Sequence, residues 1–143
     1  MDDHARRLAF HGMVLFLLGL LMGMVVQSVA NPRLGLSAHT GTLLNGVFLV
    51  ALAAVWRWQR LGPGTMRLTY WLAVAGSYAS CVALFLAGVL GTSAATPLHG
   101  AGHTGTPLQE GVVTAGLGLG GVAVLVAAAL IVVGLRGADG PSG

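Results

Sequence analysis

Four long apolar segments alternate with short polar segments along the 143-residue chain. Each segment can cross the roughly 30 Å of hydrocarbon in a bilayer, which takes about 20 residues in a helix that rises about 1.5 Å per residue. A helix also satisfies its own backbone hydrogen bonds inside lipid, so we expect each segment to be helical. The predicted spans cover residues 8–30, 37–58, 68–91 and 111–135. The predicted fold class is therefore all-α, a four-transmembrane-helix bundle in which residues 1–143 form a single membrane domain.

The overall composition agrees with this pattern. Hydrophobic residues make up 55% of the chain and charged residues 8%, which is typical of an integral membrane protein and excludes a soluble globular domain. The seven basic residues are all arginines that flank the spans and form no patch, so we exclude a nucleic-acid partner. Cys81 is the one cysteine, so an internal disulfide is impossible, and a small buried hydrophobe is its expected role.

The arginines also predict the orientation of the bundle. With four spans, both termini and the segment between the second and third spans lie on one side of the membrane. Six of the seven arginines fall on that side, and Arg33 falls on the other. Because cytoplasmic segments are enriched in basic residues, we expect both termini to be cytoplasmic, in a cell inner membrane or plasma membrane. The six arginines are Arg6, Arg7, Arg57, Arg60, Arg67 and Arg136.

Three polar residues recur every third position at the start of the second span: His39, Thr42 and Asn45. At about 100° per residue they form a slanted stripe, which can line a pocket against a neighbouring helix. Two interpretations of His39 stay open. Inside the membrane it would be a functional candidate, as ionisable residues there generally are, whereas at the headgroup interface a histidine costs little free energy and needs no function. Asn45 either belongs to a functional site or stabilises helix packing through a hydrogen bond between helices. A neutral imidazole is also a natural axial ligand of haem iron.

Other polar residues have simpler expected roles. Tyr78 lies near the middle of the third span, where core packing is the default. Glu110 begins the fourth span, where a carboxylate suits a helix N-terminus, and proton transfer is the alternative. His11 follows the first arginines, so we interpret it as an interfacial residue. His99 and His103 are four apart in a Gly/Pro-rich loop, where this spacing sets no shared face and disfavours a metal site.

Several stretches together resemble the hydroxylaminobenzene mutase family over nearly the whole chain. They are "RLAFHGMVLFLLGLLMG", "NPRLGLSAHTGTLLNGVFLVALAAVW", "GSYASCVALFLAG" and "EGVV". The resemblance implies a membrane isomerase that converts a small aromatic substrate, hydroxylaminobenzene, to 2-aminophenol. In such an enzyme we expect Asn45 to orient the NH–OH group and Tyr78 to hydrogen-bond or stack on the ring. Glu110 or a loop histidine is the expected proton carrier.

The block "AHTGTLLNG" is also similar to styrene oxide isomerase, a related four-helix membrane enzyme. This resemblance implies a homotrimer with haem b between protomers, with His39 as the metal ligand and Asn45 in the active site. Thr42, between these two residues, is expected to lie beside the cofactor. An aspartate and a tyrosine in the third helix of that isomerase correspond here to Gly76 and Leu84. Epoxide chemistry that uses those groups is therefore disfavoured.

Three alternatives to the mutase stay open. The chain is alternatively a non-catalytic haem-binding or electron-carrying membrane protein, an epoxide isomerase, or a small transporter or structural subunit whose polar stripe joins helices. The near absence of intramembrane carboxylates disfavours a proton-coupled transporter. Mutases follow the Tyr-Ala pair with Asn-Trp, whereas this chain has Ser80 and Cys81, so its preferred substrate can differ.

Overall fold

A computed structural model describes residues 3–136 and contains four long helices. Each of the four is long and apolar enough to cross a membrane. A short helix lies in the last connection, and two 3₁₀ turns, Val26–Ser28 and Trp56–Trp58, extend the first two helices. No strand occurs in the described range, so the predicted all-α membrane bundle is confirmed. The helices are α1 (Asp3–Val25), α2 (Pro32–Val55), α3 (Pro63–Leu90), α4 (Pro97–Gly100) and α5 (Pro107–Leu135).

The long helices begin four or five residues before the spans expected from hydropathy. Three of them start at Pro32, Pro63 and Pro107, because proline needs no N–H partner in a first helical turn. The Asn31 side chain accepts two backbone N–H groups at the start of α2, and Thr106 forms a capping box at the start of α5. These capped first turns are polar, so hydropathy places the starts of α2 and α5 too late.

The long helices pack in a row rather than in a closed square. α1 packs on α2, α2 on α3, and α3 on α5, whereas α1 and α3 touch more lightly. We call the end that carries six arginines the inner end and the opposite end the outer end. The main core runs along the row, and a smaller core of Leu34, Ala87 and Val113 lies near the outer end. The main core consists of Leu8, Leu15, Leu49, Leu52, Trp56, Tyr70, Ala73, Val74, Cys81, Ala127 and Ile131.

Glycines bring the helix backbones into contact at two seams. In the α1–α2 seam, a Cβ added to Gly12 would lie 2.7 Å from the Gly46 carbonyl oxygen. In the α3–α5 seam, a Cβ added to Gly120 would lie 2.9 Å from the Gly76 carbonyl oxygen. Such close approach requires residues without a side chain. The small residues of the spans therefore pack helices of this one chain together.

Candidate functional site

His39 is held against α1 by a hydrogen bond to the backbone. Its Nδ1 donates to the Gly19 carbonyl oxygen at 2.7 Å. Because a carbonyl can only accept, Nδ1 carries the proton, and Nε2 of the neutral ring keeps a free lone pair. The imidazole lies beside Gly23, where an added Cβ would be 2.8 Å from the ring. A half-buried imidazole is thus fixed in the tautomer that suits a metal ligand.

Thr42 lies one turn further along α2 and is completely buried. Its hydroxyl donates to the sulfur of Met22 in α1 at 3.4 Å. Thr42 therefore links α2 to α1 through its side chain. The structure brings Thr42 and His39 together on the part of α2 that contacts the outer half of α1.

Asn45 is half-buried and bonds to its own helix. Its Nδ2 donates to the Gly41 carbonyl oxygen at 2.9 Å. A primary amide has a second N–H and a carbonyl oxygen with two lone pairs, so this bond uses only part of its capacity. Asn45 is six residues beyond His39, which is about 9 Å along a helix axis. The predicted stripe therefore extends from the outer part of α2 toward the middle of the bundle.

His11 and Tyr78 form a polar pair between α1 and α3. The Nδ1 atom of His11 lies 3.3 Å from the Tyr78 hydroxyl oxygen, and the two rings meet edge to face with centroids 5.7 Å apart. A hydroxyl can donate or accept, so a proton can be shared in either direction along this bond. Tyr78 lies in the middle of α3, so the pair is surrounded by the membrane-spanning part of the bundle.

The helix contacts place Asn45 at the same depth as this pair. The next residue along α2, Gly46, packs against Gly12 of α1, and Gly12 directly follows His11. His39 instead contacts Gly19, which is about 12 Å further along α1. The candidate site thus has an outer level with His39 and Thr42, and an inner level with Asn45, His11 and Tyr78.

Glu110 lies apart from both levels, at the outer end of the bundle. Its carboxylate accepts hydrogen bonds from the backbone N–H groups of Ser93 at 3.0 Å, Ala94 at 2.9 Å and Gly105 at 2.9 Å. These donors come from both ends of the segment between α3 and α5. The cap of α5 itself is supplied by Thr106. Glu110 therefore closes the outer loop, a stabilising task close to the capping role considered for it.

The two loop histidines do not form a site together. His103 donates from Nε2 to the Ala30 carbonyl oxygen at 3.1 Å, and the carbonyl oxygen of His99 accepts from the Asn31 side chain at 2.8 Å. Both contacts tie the loop to the start of α2. Within residues 3–136, no group of three or more His, Cys, Asp or Glu residues is placed to hold a metal ion.

His11 is the functional candidate that the sequence interpretation missed. Its position four residues after Arg7 suggested the headgroup interface, yet its ring reaches Tyr78 in the middle of α3. The sequence does contain an indication of this role, because His11 is an ionisable residue that interrupts the apolar run of α1. Its partner is 67 positions away in the sequence, so the pair itself could not be derived from local spacing.

Comparison with known proteins agrees with both resemblances. The styrene oxide isomerase family model matches residues 4–136. The chain is 44% identical to hydroxylaminobenzene mutase HabB of Ectopseudomonas oleovorans over 135 residues, which cover 94% of this chain and 82% of the relative. It is 38% identical to hydroxylaminobenzene mutase HabA of the same organism over 104 residues, 72% of this chain and 77% of the relative. The chain therefore belongs to the styrene oxide isomerase family, and its enzyme class is isomerase.

Proposed function

We propose that this membrane isomerase rearranges an arylhydroxylamine, such as hydroxylaminobenzene, to 2-aminophenol. In this reaction the N–O bond breaks and a C–O bond forms at the ortho carbon. The proton on that carbon is lost and the nitrogen gains one, so no net oxidation or reduction occurs. The names of two relatives that align with most of the chain support this substrate class.

The observation that carries the proposal is the fixed tautomer of His39. Haem b is the implied cofactor, and the side chain fits it: Nδ1 donates to Gly19, while Nε2 is left as the ligand atom. The half-buried ring is also accessible to a group held between protomers. Bound ferric haem supplies a Lewis acid for N–O cleavage. Thr42, buried one turn away, keeps the backbone of α2 close to α1 through its bond to Met22.

The inner level supplies groups that orient the substrate. Beyond its bond to Gly41, the Asn45 amide has a second N–H and a carbonyl oxygen that can form hydrogen bonds. These groups suit recognition of the NH–OH group. Tyr78 offers a ring for stacking and a hydroxyl, and His11 can take or return a proton through that hydroxyl. The surrounding apolar side chains exclude water, which would otherwise capture the electron-poor ring.

Glu110 has a different task in this proposal. Three backbone N–H groups already engage its carboxylate, so we assign it to ordering the outer loop. The His11–Tyr78 pair replaces it as the proton-handling group, because that pair lies at the depth of Asn45. This assignment predicts that loss of Glu110 acts through stability.

Orientation and assembly belong to the same proposal. The ends of α1, α2, α3 and α5 that carry six arginines gather at the inner end, which supports cytoplasmic termini in a cell inner or plasma membrane. We further propose a homotrimer, since the resemblance to styrene oxide isomerase implies haem bound between protomers. The partly exposed position of His39 is compatible with such a shared site.

Epoxide isomerisation is the second candidate, favoured by the match to the styrene oxide isomerase family. One part of the structure argues against the carboxylate chemistry expected there. Gly76 occupies the position of the aspartate, and a Cβ at that point would lie 2.9 Å from Ala123 and 3.0 Å from the Gly120 carbonyl oxygen. The α3–α5 seam therefore leaves no room for a carboxylate at this position.

Two measurements on detergent-purified protein test the proposal. The first is the optical spectrum before and after dithionite, for wild type, His39→Ala and the control Ser37→Ala. We expect a Soret band in wild type and in the control. In His39→Ala we expect the band to disappear and turnover to fall about 10³-fold. The second is product analysis by chromatography with hydroxylaminobenzene and with styrene oxide.

The outcomes separate the candidates. Formation of 2-aminophenol with little epoxide turnover supports the mutase, and the reverse preference supports the epoxide isomerase. Reversible reduction without turnover of either substrate would identify an electron carrier. A colourless wild type, expressed with adequate haem supply, would remove the cofactor from the proposal.

A further inference from the structure

The side of the α1–α2 pair away from α3 carries a groove made of two adjoining cavities. The cavity nearer the inner end has a volume of about 490 Å³, and the next has a volume of about 240 Å³. Val50 lines both, so the two cavities adjoin along α2. We call them together the α1–α2 groove. Its lining residues are Ala5, Arg6, Ala9, Met13, Phe16, Gly46, Val47, Val50, Ala53, Ala54 and Arg57.

The mouth of the α1–α2 groove is cationic. Arg6 and Arg57 line it from the two helices, and both are exposed. The Arg57 guanidinium lies 4.9 Å from the ring centre of Trp58, whose 56% exposure is typical of a tryptophan at the headgroup level. Asp3 approaches Arg6 at 4.0 Å, but both side chains are more than 70% exposed, so this pair neutralises Arg6 only weakly.

The length of the groove matches one leaflet. Along α1 the lining runs from Ala5 to Phe16, about 16 Å at about 1.5 Å per residue. Half of the roughly 30 Å hydrocarbon core is about 15 Å. The groove therefore runs from the arginines at the headgroup level to about the bilayer midplane, and between these ends its lining is apolar.

The groove is separate from the candidate active site. The Gly12–Gly46 backbone contact closes the seam between them, and His11, Asn45 and Tyr78 are absent from the lining. A ligand in the groove would therefore contact neither level of that site. This separation makes the inference independent of the proposed function.

We propose that the α1–α2 groove binds one anionic phospholipid of the inner leaflet. The phosphate lies between Arg6 and Arg57, and one acyl chain follows the alanines and valines toward the midplane. Charge complementarity at the mouth and the one-leaflet length together favour a lipid over a second copy of this chain. A second copy would have to bury both guanidinium groups, and Asp3 approaches only Arg6, so Arg57 would be buried without a carboxylate within its own chain, which is costly.

The test is native mass spectrometry of the full-length protein in detergent with equimolar phosphatidylglycerol and phosphatidylcholine. We expect wild type to retain phosphatidylglycerol with a preference of about 30-fold, because each basic residue near an anionic lipid contributes about fivefold. The double variant Arg6→Gln/Arg57→Gln should lose this preference. The control Arg67→Gln removes a charge from α3 at the same end and should retain it.

A second pair of variants tests the acyl-chain part of the groove with both arginines in place. Ala54→Phe fills the lining, whereas Ala51→Phe adds the same ring to an exposed position of α2 outside it. We expect Ala54→Phe to lower phosphatidylglycerol retention at least tenfold and Ala51→Phe to leave it unchanged. Turnover and optical spectrum should be those of wild type in both, which shows that they are folded.

Three results would overturn the proposal. An equal loss of preference in Arg67→Gln would show that the lipid preference comes from general surface charge and not from the groove. Full retention in Ala54→Phe would exclude a chain in the groove. Dissociation of an oligomer in Ala54→Phe, without a change in lipid retention, would identify the groove as a contact between copies.

Discussion

The α1–α2 seam and the α3–α5 seam are both packed through glycines, yet their glycines have different neighbours. In the α3–α5 seam, Gly120 faces Ser80 and the Gly76 backbone. In the α1–α2 seam, Gly12 and Gly46 also face backbone, but Gly23 faces the imidazole of His39. The same residue type therefore holds helices together in one place and makes room for an imidazole ring in another. An added methyl should reduce stability at the first kind of glycine and alter chemistry at the second.

After His39→Ala, the largest effect should come from Asn45, the polar residue beside the α1–α2 seam. Asn45→Ala is expected to keep the haem spectrum and lose about 100-fold in turnover, because an orienting hydrogen bond to the substrate is removed. The measurement is steady-state formation of 2-aminophenol next to the Soret absorbance. Thr40→Ala on the exposed side of α2 is the control. Full activity in Asn45→Ala would exclude Asn45 from the mechanism.

Gly120→Ala should show the effect of a purely structural seam. The new methyl would clash with the Ser80 hydroxyl and lie 2.8 Å from the Ser80 backbone nitrogen. Overpacking of this kind costs about 2 kcal/mol, about 30-fold in the unfolding equilibrium. Denaturant titration followed by tryptophan fluorescence measures it. Gly118→Ala, where nothing lies within 4 Å of the added Cβ, is the matched control. Equal stability of the two variants would contradict the packing account.

Gly23→Ala should separate chemistry from stability. The methyl would press on the His39 ring at 2.8 Å and weaken its bond to Gly19. Loss of an orienting contact typically lowers metal affinity by about tenfold or more, so we expect about tenfold weaker haem retention. Gel filtration with detection at the Soret band measures it, and the exposed Met24→Ala is the control. Unchanged haem retention with lowered stability would show that Gly23 serves only to pack the helices.

Tyr78→Phe should give the smallest effect and tests the link between the two halves of the bundle. Removal of the hydroxyl deletes its bond to His11, which is worth about 1 kcal/mol, or about fivefold. We expect this change in stability together with at least a fivefold loss of turnover. Tyr70→Phe, at the inner end of α3, is the control. A change in stability without any change in turnover would show that the His11–Tyr78 pair only stabilises the fold.

The sequence predicted the fold class because the energetics of lipid leave few alternatives. An apolar run of this length must satisfy its own backbone hydrogen bonds, so four runs predict four helices. The starts of α2, α3 and α5 were harder to predict, because their first turns at Pro32, Pro63 and Pro107 are polar, and those of α2 and α5 are also capped by side chains. Hydropathy measures transfer into lipid and does not detect a cap.

The candidate site was only partly predictable for a related reason. Residue type and spacing on one helix selected His39 and Asn45, since both interrupt an apolar run. The partners come from other helices: Gly19 for His39, and Tyr78 for His11. Such pairs depend on how far one helix is shifted along its neighbour. This shift is fixed by glycine contacts that spacing within one segment does not contain.

The carboxylate of Glu110 has a practical consequence for handling the protein. It holds the outer loop through three backbone N–H groups, a task for which many extracellular proteins use a disulfide bond. The chain has one cysteine, which is buried, so the order of the loop does not depend on the redox state of its surroundings. A thiol reductant can therefore be present throughout purification without loosening the outer end of the bundle.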